Sequence, residues 1–282
     1  NASLYSQGAG AHYGLGSFVD LAGNDTYNAN PQSAAASGPR VRRARLGDRL
    51  REAGGTASIA VFFAAIVVVF SLSSDVFLSA PNMLNIVRQA APLLIVAAAM
   101  TFVITTGGID LSVGSVLALV CALSAAMLQA DIPWPATILA MLVLGAVIGA
   151  VQGFLIAYEG IPAFIVTLAG LSIFRGIALL ITGGYSIPIS PDTAFVFLGR
   201  GWAFGVPVPA WIAFACLIVA FLVYGGTRFG RYVTGIGANN EAVRRAGVNV
   251  ARVRLAVYAI SGCAAAFAGI ILAGRLGSGS SN

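Results

Sequence analysis

Few side chains in this sequence are equipped for chemistry, and three groups stand apart. The first is Asn239-Asn240-Glu241-Ala242-Val243-Arg244-Arg245-Ala246-Gly247. Asn239 or Asn240 can cap a helix, Glu241 is well placed in its first turn, and Gly247 can end it. The product is a short charged helix suited to docking, or an ordinary basic loop beside lipid headgroups. The second is T-T-G-G-I-D-L-S-V-G-S, where Gly107-Gly108 breaks a helical pattern. There Asp110 and Ser112 can satisfy the free backbone donors of the next helix, as a cap and hinge or as a gate touching a passing solute. The third is Arg175, a planar donor fork inside an apolar run, of a kind that suits hydroxyl-rich ligands.

Other chemistry is excluded. The sequence contains no lysine, so it cannot carry a G-x-x-x-x-G-K-[ST] phosphate loop, and any work driven by ATP needs the nucleotide on another chain. Its one histidine, His12, lies outside the apolar region. Cys121, Cys216 and Cys263 sit in apolar runs without metal-site spacing, and no metal ligand set is expected.

The elements that must position these groups are membrane helices. The chain has 282 residues, 58% of them hydrophobic and 9% charged, far from a soluble domain. Twelve of its sixteen arginines fall between Arg40 and Arg51 or between Arg228 and Arg254. Between these stretches lie apolar runs of about 20 residues, each long enough to cross a bilayer as a helix. Basic residues favour the cytoplasmic side, so an even number of spans separates the two stretches. The net charge of +6 is explained by membrane-edge bias, and nucleic acid is not an expected partner.

Residues 1–38 form a Gly- and Asn-rich leader resembling one rung of a β-solenoid, expected to be poorly ordered and a fragment or fusion. Residues 39–55 form a basic cytoplasmic segment, and residues 56–282 the membrane domain with a cytoplasmic loop at 227–254. Spans are expected near 56–74, 90–106, 134–157, 162–182, 209–225 and 255–276, with a third span that follows the T-T-G-G-I-D-L-S-V-G-S run and continues to about 129, and an interfacial segment at 81–89. The fold class is therefore all-α, a polytopic helical membrane protein with about seven spans. By parity, the break at Gly107-Gly108 lies near the cytoplasmic side and the 183–208 loop lies outside. Gly145, Gly149 and Gly153 fall on one face of the fourth span, a stripe that lets another helix approach closely. Arg175 is 13 residues past Pro162, about 20 Å along a helix, in the outer half of its span. It either lines a pathway or pairs with Asp131 or Asp192.

The run G-R-Y-V-T-G-I-G-A-N-N-E-A-V-R-R-A-G-V-N-V resembles the cytoplasmic loop of ABC importer permeases of the ribose, xylose, arabinose and galactose type. T-G-G-I-D-L-S-V-G-S and I-P-A-F-I-V-T-L-A-G-L-S-I-F-R-G-I-A-L-L-I-T-G-G are similar to two further signatures of that family, in the same order. The resemblance covers residues 50–282. It implies a permease subunit translocating a monosaccharide across the bacterial cytoplasmic membrane, with no covalent chemistry of its own. It also implies a separate ATPase carrying ATP and Mg, docked on Asn240, Glu241, Ala242, Arg244, Arg245 and Gly247. An extracytoplasmic sugar-binding protein and a second permease subunit, identical or different, complete the assembly. Two features depart from the family: the leader has no counterpart, and members continue past the seventh span, which implies a chain cut short at its C-terminus. A permease for branched-chain amino acids or another small solute stays open, as does an ion-coupled secondary transporter. The latter is disfavoured because Asp110 and Glu159 lie at span ends. A surface β-solenoid carried on a membrane anchor is the remaining alternative.

Overall fold

A computed structural model describes residues 46–280, with side chains from Ser58 onward. The leader and the first half of the basic stretch Arg40–Arg51 lie outside the described residues. Two units are present, residues 1–73 and residues 74–282. The described part of the first is one helix, α1 (Leu46–Ser73), apolar from Ser58 onward.

The second unit is built from α2 (Ala80–Thr105), α3 (Val113–Gln129), α4 (Trp134–Ala157), α5 (Ala163–Thr182), α6 (Phe197–Arg200), α7 (Val208–Gly226), α8 (Arg228–Arg245) and α9 (Val250–Leu276). It also holds a 3-10 turn (Ala194–Val196) and four two-residue strands: β1 (Ile187–Pro188), β2 (Trp202–Ala203), β3 (Val206–Pro207) and β4 (Ser278–Gly279). Among the described residues, α2, α4, α5, α7 and α9 are long and apolar enough to cross a membrane, and Ser58–Ser73 and α3 are shorter apolar helices. The protein is thus an all-α multi-pass membrane protein.

Prolines set where several helices start. Pro81, Pro135 and Pro209 occupy the first turns of α2, α4 and α7, where a missing N–H costs nothing because no carbonyl precedes it in the helix. The interfacial segment expected at Pro81–Gln89 is not separate: α2 runs unbroken through it and through Pro92. An internal proline removes one ladder bond but does not end a helix that its neighbours hold, and Ala91, Pro92 and Ile95 are all buried.

Helix α9 is the centre of the bundle, packing on α2, α3, α4 and α6. Its closest partner is α4. A Cβ at Gly145 would meet the Gly262 carbonyl at 2.5 Å, and one at Gly149 would collide with the Tyr258 carbonyl oxygen. A Cβ at Gly153 would lie 2.9 Å from Leu255 Cα. The three glycines therefore form a groove into which the α9 backbone settles, the packing that replaces a water-driven core in lipid. Farther along, Val116, Leu119 and Val120 of α3 meet Ala265, Ala266 and Ile270 of α9, with Phe195 fully buried against them.

The loop expected at 183–208 carries short strands and helical turns of its own. Strand β1 pairs antiparallel with β4, and β2 with β3. Arg200 donates from Nε to the Arg275 carbonyl at 2.9 Å and from Nη2 to the Leu276 carbonyl at 2.7 Å. These bonds satisfy carbonyls that the end of α9 leaves free.

Candidate functional site

The polar centre of the second unit is the turn between α2 and α3. Helix α2 stops at Thr105, and Gly107 takes a left-handed conformation with φ of 76°, which a side chain would strain. Gly108 follows where a Cβ would lie 2.6 Å from the Tyr258 hydroxyl, so a side chain there would push the tyrosine away. The chain then delivers Asp110, 3% exposed, into the protein.

Asp110 accepts three hydrogen bonds. Ser112 gives two to Oδ1, from its backbone N–H at 3.0 Å and its hydroxyl at 2.7 Å. Ser261 of α9 gives the third, from its hydroxyl to Oδ2 at 2.7 Å. Gln152 of α4 extends the set by donating from Nε2 to Ser112 Oγ at 2.9 Å. Tyr258 donates to the Ile109 carbonyl at 3.3 Å. Asp110 is thus held by Ser112 and Ser261 directly, while Gln152 and Tyr258 brace the same turn through Ser112 Oγ and the Ile109 carbonyl. Ser112 does not cap the first turn of α3; its hydroxyl is turned to Asp110 instead.

A recess of about 250 Å³ opens beside this turn, its walls including Thr106, Gly107, Gly108, Pro162, Arg254 and Tyr258. Among the described residues, no group of acids, cysteines or histidines could hold a metal ion.

The charged run is an elbow between two helices. Thr227 caps α8 by accepting from the Gly230 N–H at 3.2 Å, so the cytoplasmic loop expected at 227–254 is helical from Arg228 onward. The helix kinks at Asn239, whose φ of −157° and ψ of 97° are extended. Asn239 Oδ1 then accepts from the Ala242 N–H at 2.9 Å and restarts the helix. Asn239, not Asn240, is therefore the cap. Gly247, at φ of 84°, ends this turn, and its N–H bonds the Arg244 carbonyl at 3.0 Å. Asn249 caps α9 by accepting from the Arg252 N–H at 3.0 Å. On the exposed face, Glu241 receives Arg244 at 2.9 and 3.0 Å and Arg245 at 3.0 Å. These bonds, Arg244's first, hold the Glu241 carboxyl below its ordinary range.

Arg175 lies exposed on α5 between Phe174 and Gly176, without an ion pair to Asp131 or Asp192. It is remote in the chain from the elbow and is not part of the Asp110 network. Of the residues singled out in the sequence, the structure bonds Asp110 and Ser112 to each other, and Gly108 lies in the same turn against the Tyr258 hydroxyl. Tyr258 and Ser261 complete that group and carried only a weak signal: a hydroxyl inside an apolar span has to find a partner.

Comparison with known proteins agrees with this organisation. Residues 82–282 match the family described as branched-chain amino acid transport system / permease component. The ribose import permease protein of Haemophilus influenzae is 38% identical over 222 residues, covering 77% of this chain and 69% of that protein. The ribose import permease of Escherichia coli K12 is 38% identical over 224 residues, covering 78% and 70%. The xylose transport system permease protein of the same strain is 35% identical over 279 residues, covering 77% and 71%. No solved structure matches significantly. With multiple spans, a capped charged elbow and relatives of this kind over three quarters of its length, the chain belongs to the permease family of bacterial import systems that includes the ribose and xylose permeases.

Proposed function

We propose that this protein is the membrane-spanning subunit of an ABC importer for a monosaccharide, set in the bacterial cytoplasmic membrane. The observation that carries the reading is the elbow at Asn239–Gly247: exposed, charged, capped at both ends, and continuous with the central helix α9. A separate ATPase, holding ATP and Mg, docks there from the cytoplasm. The basic residues from Arg228 to Arg254 support that orientation, since such stretches stay on the cytoplasmic side. The Asp110 turn then faces inward, and the end held by Arg200 faces outward, where an extracytoplasmic binding protein delivers the sugar. A second permease subunit covers the exposed face of α5, enclosing Arg175 in a path that a lipid-facing arginine could not occupy cheaply. The chain itself performs no covalent step. It offers two arrangements of one bundle, and the ATPase must bind them unequally to drive transport.

The name of the matching family favours a second substrate class, branched-chain amino acids. Proteoliposomes holding the permease, its cognate ATPase and binding protein separate the two. ATP-dependent uptake of radiolabelled ribose or xylose, unaffected by excess leucine, is the expected result. Leucine uptake without pentose uptake would assign the amino-acid class, and flux without any ATPase would remove the ABC reading.

A further inference from the structure

One continuous stretch of chain meets the 106–112 turn and the residue leading into it at two places. Upstream of the elbow, α8 presses Gly237 onto the Thr105 carbonyl so closely that a Cβ there would collide with it. Downstream, α9 holds the same turn through two hydroxyls, Tyr258 on the Ile109 carbonyl at 3.3 Å and Ser261 on Asp110 at 2.7 Å. Tyr258 and Ser261 are three residues apart and so share one helical face. The elbow sits between the two grips.

The turn also has room to move. Nothing lies within 4 Å of a Cβ placed at Gly107, and the recess opens directly against Thr106, Gly107 and Gly108. Its other ties are Ser112 to Gln152 of α4, at the downstream end of the turn, and a long bond from the Thr167 hydroxyl of α5 to the Ile109 carbonyl at 3.5 Å. Hydroxyl bonds are directional and weaken steeply when stretched beyond about 3.5 Å. A shift of α9 by one or two ångströms, the usual scale of helix movement in switching proteins, therefore breaks both.

We propose that Tyr258 and Ser261 form a latch that holds the 106–112 turn as the inner wall of the recess until the elbow moves α9. The latch rests on the ATPase-docking reading given above. It exchanges hydrogen bonds only, and both residues are positioning residues that act through Asp110 and Ile109. Their release lets the Gly107-Gly108 hinge swing and opens the recess to the cytoplasm.

The test uses the permease assembled with its cognate ATPase, carrying Ile109→Cys as a reporter, with Cys121, Cys216 and Cys263 changed to alanine. Ile109 is half exposed, so a membrane-impermeant maleimide can report its accessibility. With the latch intact, labelling rates in the nucleotide-free and ATP-trapped states differ by about fivefold or more, the lower range for an allosteric coupling. Ser261→Ala, and the gentler Tyr258→Phe, bring the two rates within about twofold while the ATPase still co-purifies. Ser261→Thr, which keeps the hydroxyl, restores the difference. Unchanged nucleotide-dependent labelling in both Ser261→Ala and Tyr258→Phe would overturn the latch while leaving docking intact. Failure of the ATPase to co-purify with the unsubstituted chain would instead overturn the docking reading beneath it.

Discussion

Ser261 donates its hydroxyl to Asp110 across 151 residues of sequence, and that one bond joins the central helix to the broken turn between α2 and α3. The carboxylate is buried, with its other oxygen held by Ser112. Removing the carboxylate takes the acceptor from two hydroxyls and a backbone N–H at once, with only Gln152 left to Ser112 Oγ, whereas removing one hydroxyl leaves a carboxylate still holding two donors.

An order of stability follows. Asp110→Ala should destabilise the protein more than Ser261→Ala, which removes one bond to a charged group and costs about 1.5–3 kcal/mol. Thermal unfolding in detergent, followed by the loss of the monodisperse elution peak, checks the order. Equal stabilities would show that the network is not built around the carboxylate.

The α4–α9 contact makes a second prediction. Gly149→Val forces the α9 backbone away and costs about 1–3 kcal/mol, the usual range for overpacking. Gly114→Ala, where a Cβ meets nothing within 4 Å, changes stability little. The same unfolding measurement compares them.

At the elbow, the two asparagines separate cleanly. Asn239→Ala removes the cap and weakens the turn by about 1 kcal/mol, while Asn240→Ala leaves it intact. Hydrogen exchange of the amides from Glu241 to Ala246 should rise in the first variant alone.

Docking itself is tested by Glu241→Arg and Gly247→Arg. Both should lower ATP-driven uptake by about tenfold, the scale of losing an interface anchor, with membrane insertion unchanged. Glu241→Arg puts a third positive charge beside Arg244 and Arg245. Gly247→Arg strains a left-handed position. Because the Glu241 carboxyl lies below its ordinary range, its bonds to both arginines persist at neutral pH and dissolve only as the pH falls through that lowered value. Normal uptake in both variants would remove the elbow from the docking surface.

Arg175→Ala should impair uptake without weakening ATPase binding, since the side chain stands far along the chain from the elbow. Measuring uptake alongside co-purification separates the two effects. A variant with normal uptake would make Arg175 a bystander.

Much of this was legible in the residues. The apolar runs lie where helices form, Gly107-Gly108 marks the break, and Gly247 ends the elbow, because each rests on local sequence alone. The glycine stripe on α4 announced a close neighbour but not that the neighbour is α9. The partnership of Asp110 and Ser261 was not legible, because the folding of the bundle, not any spacing, brings the two together. The first half of α8 was hidden for another reason. Gly230, Gly235 and Gly237 lower its helix propensity, and it forms because Thr227 caps it and Gly237 packs against Thr105. The 183–208 segment, read only as an outside loop, folds because β4 and the end of α9 give it partners distant in sequence.

Arg200 and the β1–β4 pair fasten only one end of α9, the end away from the elbow. A rod pinned at one tip cannot slide along its own length. On the docking reading proposed above, a push near Val250 would turn into a swing about that tip which carries α4 along, since the α4 glycines seat α9 at Leu255 and Tyr258. Tyr258 and Ser261, in the half nearer the push, would then travel farther than residues beside Arg275. The same fastening that steadies the far side of the bundle thus works as a fulcrum.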